Sequence, residues 1–567
     1  MKKKLFYLVI LLAVFLRVFK LGVVPIELNR DEASLGYTAY SILLTGREEH
    51  GQAWPIQIES FGDWKLPLYV YSLMPFIAVF GLETWVVRLP SMLAGIGLVI
   101  TSYYLVQRLF SKSKNRENLA LGTAFLLAVS PWQIHFSHVA YEAHLSLLFF
   151  ILGLLGLLKV KNIFETNKQI KIGLLVVAVF SLAITLLGYH AYQVFTPLFL
   201  LGFIYFEHKF VKKFFKGINR KKIFLVCFPL LLVLTTLVLS GVTGANKTKF
   251  SGLSIFSPNA YSTHVSTLRL MLEQPNHPFL VVVLNKFVAI FDQIVKNFFA
   301  LVSPEFLFVK GGDNGAHNIT GFGNFYPLMF LGLVVGITQI FIGSMFGLNL
   351  LGMWLLTAAV APMITFTANH TVRFSPAFIA IEILSVYGWS VIISFLKEKL
   401  SRKLFLIVLW ALTIGLFYFI YKFLISYYFI FPKQDAGRWS WQMKPLVFQV
   451  DALKNNYDKI IIQDEQSSPY IYFLFHLKID PNSLVTRIEY YPPDSEGFRH
   501  VKRLDNIYFE KIDWEVAHFL YEDRLFVIGS EEIPDYNKTH ERFTLLNQLK
   551  QDQLDKQIEF WQYERFR

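Results

Sequence analysis

Residues 5–37, LFYLVILLAVFLRVFKLGVVPIELNRDEASLGY, run from an apolar stretch of membrane-span length into an adjacent acid pair, Asp31–Glu32. An acidic pair in a loop is by default solvated and inert. This pair lies a few residues past the end of a span, and cations follow it. FGDWKLPLYVY (61–71) carries Asp63 and Lys65, and VVRLPSMLAG (86–95) carries Arg88. A carboxylate can take a proton and cations can hold a phosphate, so the stretch points to chemistry at a membrane surface.

Composition sets the phase. The chain is 54% hydrophobic and 17% charged, with mean hydropathy +0.44 and 56 Phe. That much apolar surface cannot be hidden in a soluble domain of this length, so a polytopic membrane protein is expected. The lone Cys227 excludes an intramolecular disulfide framework and a cysteine-rich metal site. A net charge of +13 invites a nucleic-acid reading. In a membrane protein, however, excess Lys and Arg mark cytoplasmic loops, and no nucleic-acid partner is expected. The basic start, MKKK, is followed by no small-x-small cleavage site, and Arg17 and Lys20 come instead. An uncleaved first span is predicted.

Eleven segments can cross a core of about 30 Å, near 5–23, 88–108, 118–136, 142–159, 170–187, 190–206, 222–240, 326–343, 346–366, 374–396 and 403–430. The basic linkers near 108–116, 159–171, 209–222 and 397–403 then fall on one side with Lys2–Lys4, which is assigned as cytoplasmic. PLYVYSLMPFIAVFG (67–81) is short and contains Pro75; it is read as a helix or re-entrant piece on the outer side. The amphipathic stretch 279–301 is read as a helix lying in the interface. Residues 1–431 thus form an α-helical membrane domain with outer loops 24–87 and 241–325. Residues 432–567 form a small extracytoplasmic α/β domain. In it, 458–463 and 524–530 are expected as strands, and 468–479 and 544–564 as helices. The setting is the plasma (inner) membrane, with the active site outside.

Further polar residues collect at outer span ends. HFSHVAYEAH (135–144) holds Glu142 and three histidines, GYHAYQ (188–193) holds His190, and TANHTVRF (367–374) holds His370 and Arg373. Ionisable groups at membrane depth are costly and mark function. A divalent metal is possible at the His/Glu group, although the spacing matches no strong ligand template. Arg88 and Arg373 are candidate phosphate contacts, and for Arg88 snorkelling to headgroups is the bland alternative. The glycine-rich loop 304–326, with His317, lacks the phosphate-loop spacing and suits a lid.

The order of motifs carries a resemblance: a DE pair in the first outer loop, K-x-P-L-Y, R-L-P-S, then S-P-x-x-x-x-F-S-x-x-x-Y-E. Over roughly residues 5–400 it resembles the GT-C membrane glycosyltransferases, within them the protein O-mannosyltransferase and aminoarabinose lipid A transferase group (glycosyltransferase family 39-like). That resemblance implies inverting transfer of a sugar from a polyprenyl-phosphate donor to a protein, lipid or glycan acceptor on the outer face. It implies Asp31, beside Glu32, as the group that activates the acceptor, Lys65 as the contact to the carrier phosphate, and Glu142 as the acid opening the fourth span. The chain departs from the pattern in having Asp63-Trp64-Lys65 where an acid often directly precedes the lysine, and Leu66-Pro67 in place of paired prolines. The competing readings are another lipid-linked envelope transferase or ligase and, from a different class, a polytopic transporter. A transporter predicts charges in mid-span and internal repeats, whereas here the ionisable groups crowd one interface.

Overall fold

Each of the eleven apolar segments contains a helix in the computed structural model. The structure describes residues 2–61, 63–167, 171–216, 219–242, 254–257, 261, 265–267, 270, 285–343, 345–463, 468–494, 498–512, 524–529, 543–549 and 558–563. Among these, six helices are long and apolar enough to cross a membrane, and up to eight if each of two bent pairs counts as one span. The pairs break at Ser130, by 57°, and at Glu207, by 85°. Lys286–Leu301 is helical, as the amphipathic stretch requires; residues 281–284, like 279–280, lie outside the described set. With its continuation to Val309 it also reaches span length, and Phe287, Phe291 and Phe299 stand exposed.

The chain divides into two compact units. One comprises Met1–Leu21 and Pro90–Tyr427; the other comprises Gly22–Leu89 and Tyr428–Arg567. A division at residue 431 assigns loop 24–87 to the membrane part. The compact units instead group that loop with the tail, because its helix and hairpin pack on tail side chains.

In the first unit, helices Met329–Ile342 and Phe378–Lys399 pack backbone to backbone. A β-carbon at Gly388 would stand 1.8 Å from the Gly332 carbonyl oxygen, so only glycine admits this approach. Arg17, buried at the end of α1 (Lys2–Val18), donates to the carbonyls of Ala13, Leu127 and Ala128 and to Gln133. His138 bridges the Arg17 carbonyl and the Tyr427 hydroxyl, at 3.0 and 2.9 Å. This guanidinium is an internal tie, since carbonyls left open at the end of the helix Arg116–Val129 are among its partners.

The second unit begins with α2 (Arg30–Thr45), the hairpin β1 (Ile58–Ser60) and β2 (Asp63–Lys65), α3 (Pro67–Phe80) and the first turns of α4 (Thr84–Leu109). Pro67 starts α3, where its missing N–H goes unneeded. The tail forms a mixed seven-stranded sheet in the order β4 (Ile488–Tyr490), β5 (Val501–Leu504), β6 (Ile507–Phe509), β3 (Lys459–Ile462), β7 (Arg524–Gly529), β9 (Ile558–Tyr563), β8 (Phe543–Leu549). Central β3 runs parallel to both β6 and β7, and Ile460, Ile461 and Ile462 are all buried, as a continuous apolar run in a covered strand requires. The expected strands 458–463 and 524–530 and the helix within 468–479 (Tyr470–His476) form.

The helix expected over 544–564 does not. Phe543–Leu549 and Ile558–Tyr563 are antiparallel strands, with β9 also paired to β7. The Gln- and Leu-rich composition favours helix locally, but pairing along an open sheet edge overrides that preference.

Candidate active site

The acid pair is built into a helix start. Asn29 caps α2: its side chain accepts from the Glu32 N–H at 2.9 Å, and its own N–H donates to Glu32 Oε2 at 3.1 Å. This reciprocal box fixes two otherwise open donors and sets the direction of the first turn. Successive helical residues point about 100° apart, so Asp31 and Glu32 part company.

Glu32 turns inward. Its carboxylate meets Arg88, Nε to Oε1 3.1 Å, and both side chains are buried. Arg88 also donates to the Pro25 and Glu27 carbonyls at 3.0 and 2.8 Å. These bonds tie the 25–32 segment to α4. The guanidinium expected to meet a phosphate is thus engaged with protein partners, and Glu32, expected beside Asp31 in catalysis, is engaged with it.

Asp31 turns outward, with 61% of its side chain exposed. Lys65 Nζ stands 3.0 Å from Asp31 Oδ1 and 3.2 Å from the Asp31 carbonyl. Lys65 itself is buried and lies 5.8 Å from the centre of the Phe61 ring. Its position follows from the hairpin: Ile58 pairs with Lys65, Glu59 with Trp64 and Ser60 with Asp63. A hydroxyl contact from Ser34 to Ser60, 2.9 Å, fastens β1 to α2. Asp63 accepts from the Trp64 N–H, which orders the turn before Lys65.

Gly36 brings the tail in. A β-carbon there would meet Val87 at 2.7 Å and Phe475 at 2.8 Å, so α2 needs glycine where it packs against the helix Tyr470–His476. Tyr37 donates to the Ile479 carbonyl at 3.0 Å across the same face.

Beside the hairpin lies a second polar cluster that residue-by-residue reading of REEHG (47–51) missed, since consecutive charges in a loop read as solvated. Glu48 accepts from the backbone and ring of His50 and from Gln52. Burial opposes charge on both Glu48 and His50, but their hydrogen bond and mutual attraction, joined by the backbone N–H groups of His50 and Gln52 at Glu48 and by the Glu49 and Glu59 charges at His50, together outweigh it, holding Glu48 low and His50 high. Glu49 is fully buried, accepts from Tyr470 at 3.2 Å, and leaves Oε2 without a hydrogen-bond partner. Burial, helped by Glu48, pushes its carboxyl up to about 7 against the pull of His50, Tyr470 and Lys65.

A folded-state value above the unfolded one means that folding binds a proton between the two. Stability from this group therefore falls as pH rises from about 4.5 to about 7, by on the order of 3 kcal/mol. Glu49→Gln should raise the thermal midpoint relative to wild type more at alkaline than at acidic pH; an equal shift at both would contradict the assignment.

The other expected site residues belong to the first unit. His317, in the turn Gly315–His317, has its ring 4.6 Å from that of His370 and 5.5 Å from that of Tyr141. His370 Nδ1 accepts from the Arg373 N–H, and Arg373 Nη1 lies near Thr365 and Thr367. Glu142 opens the helix Glu142–Asn167, and His190 opens His190–Phe206, where it approaches Gln193 at 3.4 Å. No group of three His, Cys, Asp or Glu side chains converges as metal ligands among the described residues.

No family model and no curated protein matches the chain by sequence. Solved structures do match by shape. ArnT from Cupriavidus metallidurans bound to undecaprenyl phosphate superposes with a TM-score of 0.54 at 10% identity, over 98% of this chain and 97% of that one. The fold is GT-C-like. The Archaeoglobus fulgidus oligosaccharyltransferase tethered to an acceptor peptide gives 0.47 at 15% identity, over 84% of this chain; the chain spans 63% of that protein's length. Apolar helices and a GT-C-like fold together make this a multi-pass membrane protein.

Proposed function

We propose that the protein is an inverting glycosyltransferase that moves a sugar from a polyprenyl-phosphate donor to an acceptor at the outer face of the plasma membrane. The observation that carries the reading is the apposition of Lys65 and Asp31 at 3.0 Å, in a GT-C-like fold whose ArnT neighbour holds undecaprenyl phosphate. A sugar phosphodiester on a long polyprenyl tail cannot leave the bilayer, so its anomeric carbon lies at the interface. Inversion then needs a base for the acceptor and a cation for the departing phosphate.

Asp31 takes the proton of the acceptor hydroxyl or amine as the acceptor attacks the anomeric carbon. The bond from that carbon to the phosphate oxygen breaks, and polyprenyl phosphate leaves with the electron pair. Lys65 balances the charge that the phosphate gains. Without donor, Lys65 pairs with Asp31; a phosphate that draws the ammonium away frees the carboxylate to act as base. The Asp31 carboxylate is open to water, which solvates it once the ammonium turns to the phosphate, and the buried ammonium exchanges one anion for another. Glu32 and Arg88 position the turn that carries Asp31.

Lys65→Ala should raise the apparent KM for the lipid-linked donor by about tenfold or more, the worth of one charge-assisted bond. A KM unchanged by the substitution would argue against phosphate contact. The reaction class itself is tested by mass spectrometry of envelope glycans and glycopeptides from cells with and without the protein. A sugar that disappears with the protein, and returns with wild type but not with Asp31→Asn, is the expected result; identical profiles would remove the reading.

A further inference from the structure

The tail reaches the lysine hairpin at three points. Arg499 holds the Glu59 carboxylate twice, from its N–H at 2.9 Å and from Nη2 at 3.1 Å, and Glu59 is the cross-strand partner of Trp64, next to Lys65. Phe498 packs on Trp64, ring centres 5.9 Å apart. Tyr470 packs on Phe61 at 5.9 Å and donates to Glu49. The hairpin has only three residues per strand, and two short strands alone are barely stable in water. Its form must come from what it packs against.

We infer that Arg499 is a positioning residue for Lys65: the C-terminal α/β region is a clamp that fixes the β1–β2 hairpin, and with it the ammonium that meets the donor phosphate. The inference rests on the phosphate role of Lys65 proposed above. It assigns the tail a part in donor binding that requires no sugar-binding surface on the sheet. Glu59 is itself buried and half of a geometrically specific pair: its two oxygens receive two donors from one residue, an arrangement that fixes orientation as well as distance. Removing the guanidinium leaves a buried carboxylate short of one donor and frees the strand opposite Lys65.

The test uses the full-length protein in nanodiscs, comparing wild type, Arg499→Ala, Arg499→Lys and Lys65→Ala. Two quantities are read: hydrogen exchange of residues 58–65, and KM and kcat for a polyprenyl-phosphate sugar. Arg499→Ala should speed exchange in 58–65 while α2 keeps its protection, and should raise donor KM several-fold with kcat changed less. Arg499→Lys should recover part of both. Unaltered exchange at 58–65 in Arg499→Ala overturns the clamp, whatever donor binding does. A loosened hairpin with wild-type KM, in a series where Lys65→Ala does raise KM, overturns the link to the phosphate. If Lys65→Ala itself leaves KM at the wild-type value, the phosphate reading has failed, and the exchange data still decide whether Arg499 holds the hairpin.

Discussion

Asp31→Asn should reduce sugar transfer by about a hundredfold to ten-thousandfold while the protein accumulates and folds as wild type does. The substitution keeps shape and removes the ability to accept a proton. It also removes the charge opposite the buried Lys65, but the Asn amide oxygen and the backbone carbonyl of residue 31, 3.2 Å away, still accept from the ammonium, so less stability goes with it than with a bare buried charge. The capping box stays, because Asn29 and Glu32 make it without Asp31. Rate and stability should therefore separate. Donor KM should hold or fall, since Lys65 loses a competing partner. Full activity in this variant would refute the base assignment.

The second large effect is on the fold. Arg88→Ala should destabilise the unit containing the first outer loop by about 3–5 kcal/mol, because it leaves the Glu32 carboxylate buried without its counter-charge. The Pro25 and Glu27 carbonyls lose their donor at the same stroke. Glu32→Gln should cost less, since the Arg88 guanidinium keeps the Pro25 and Glu27 carbonyls as acceptors and the amide oxygen can still receive the Asn29 N–H. Activity should fall in Arg88→Ala through loss of folded protein, with the surviving fraction turning over near the normal rate at saturating donor. Thermal midpoints of the purified variants decide this. An Arg88→Ala protein as stable as wild type, but with a raised donor KM, would return Arg88 to the phosphate.

How much of this was legible in the sequence follows from which forces act locally. The apolar segments were, because length and hydropathy are properties of the segment itself. Strands β3 and β7 were legible for the same reason. Residues 544–564 were not: their helix-favouring composition is overruled by partners on β7, Arg524–Gly529, that no local pattern reveals. At the site, Asp31 and Lys65 were legible as candidates, but their pairing was not: the sequence sets Asp63 beside Lys65, and the structure brings up Asp31 from 34 residues away instead. Two adjacent carboxylates look equivalent on paper, yet the cap turns Glu32 toward Arg88 and Asp31 toward Lys65. The tail contacts Tyr470, Phe498 and Arg499 had no sequence signal, because each partner lies more than four hundred residues away.

The central claim is that Lys65 meets a lipid-linked phosphate, and binding tests it without knowledge of the sugar or the acceptor. Labelled undecaprenyl phosphate would be titrated against the purified protein in nanodiscs, in wild-type and Lys65→Ala forms. The account predicts saturable binding to wild type, weakened about tenfold or more in Lys65→Ala and retained in Asp31→Asn. Equal affinity in wild type and Lys65→Ala, or no saturable binding to wild type at all, would contradict it.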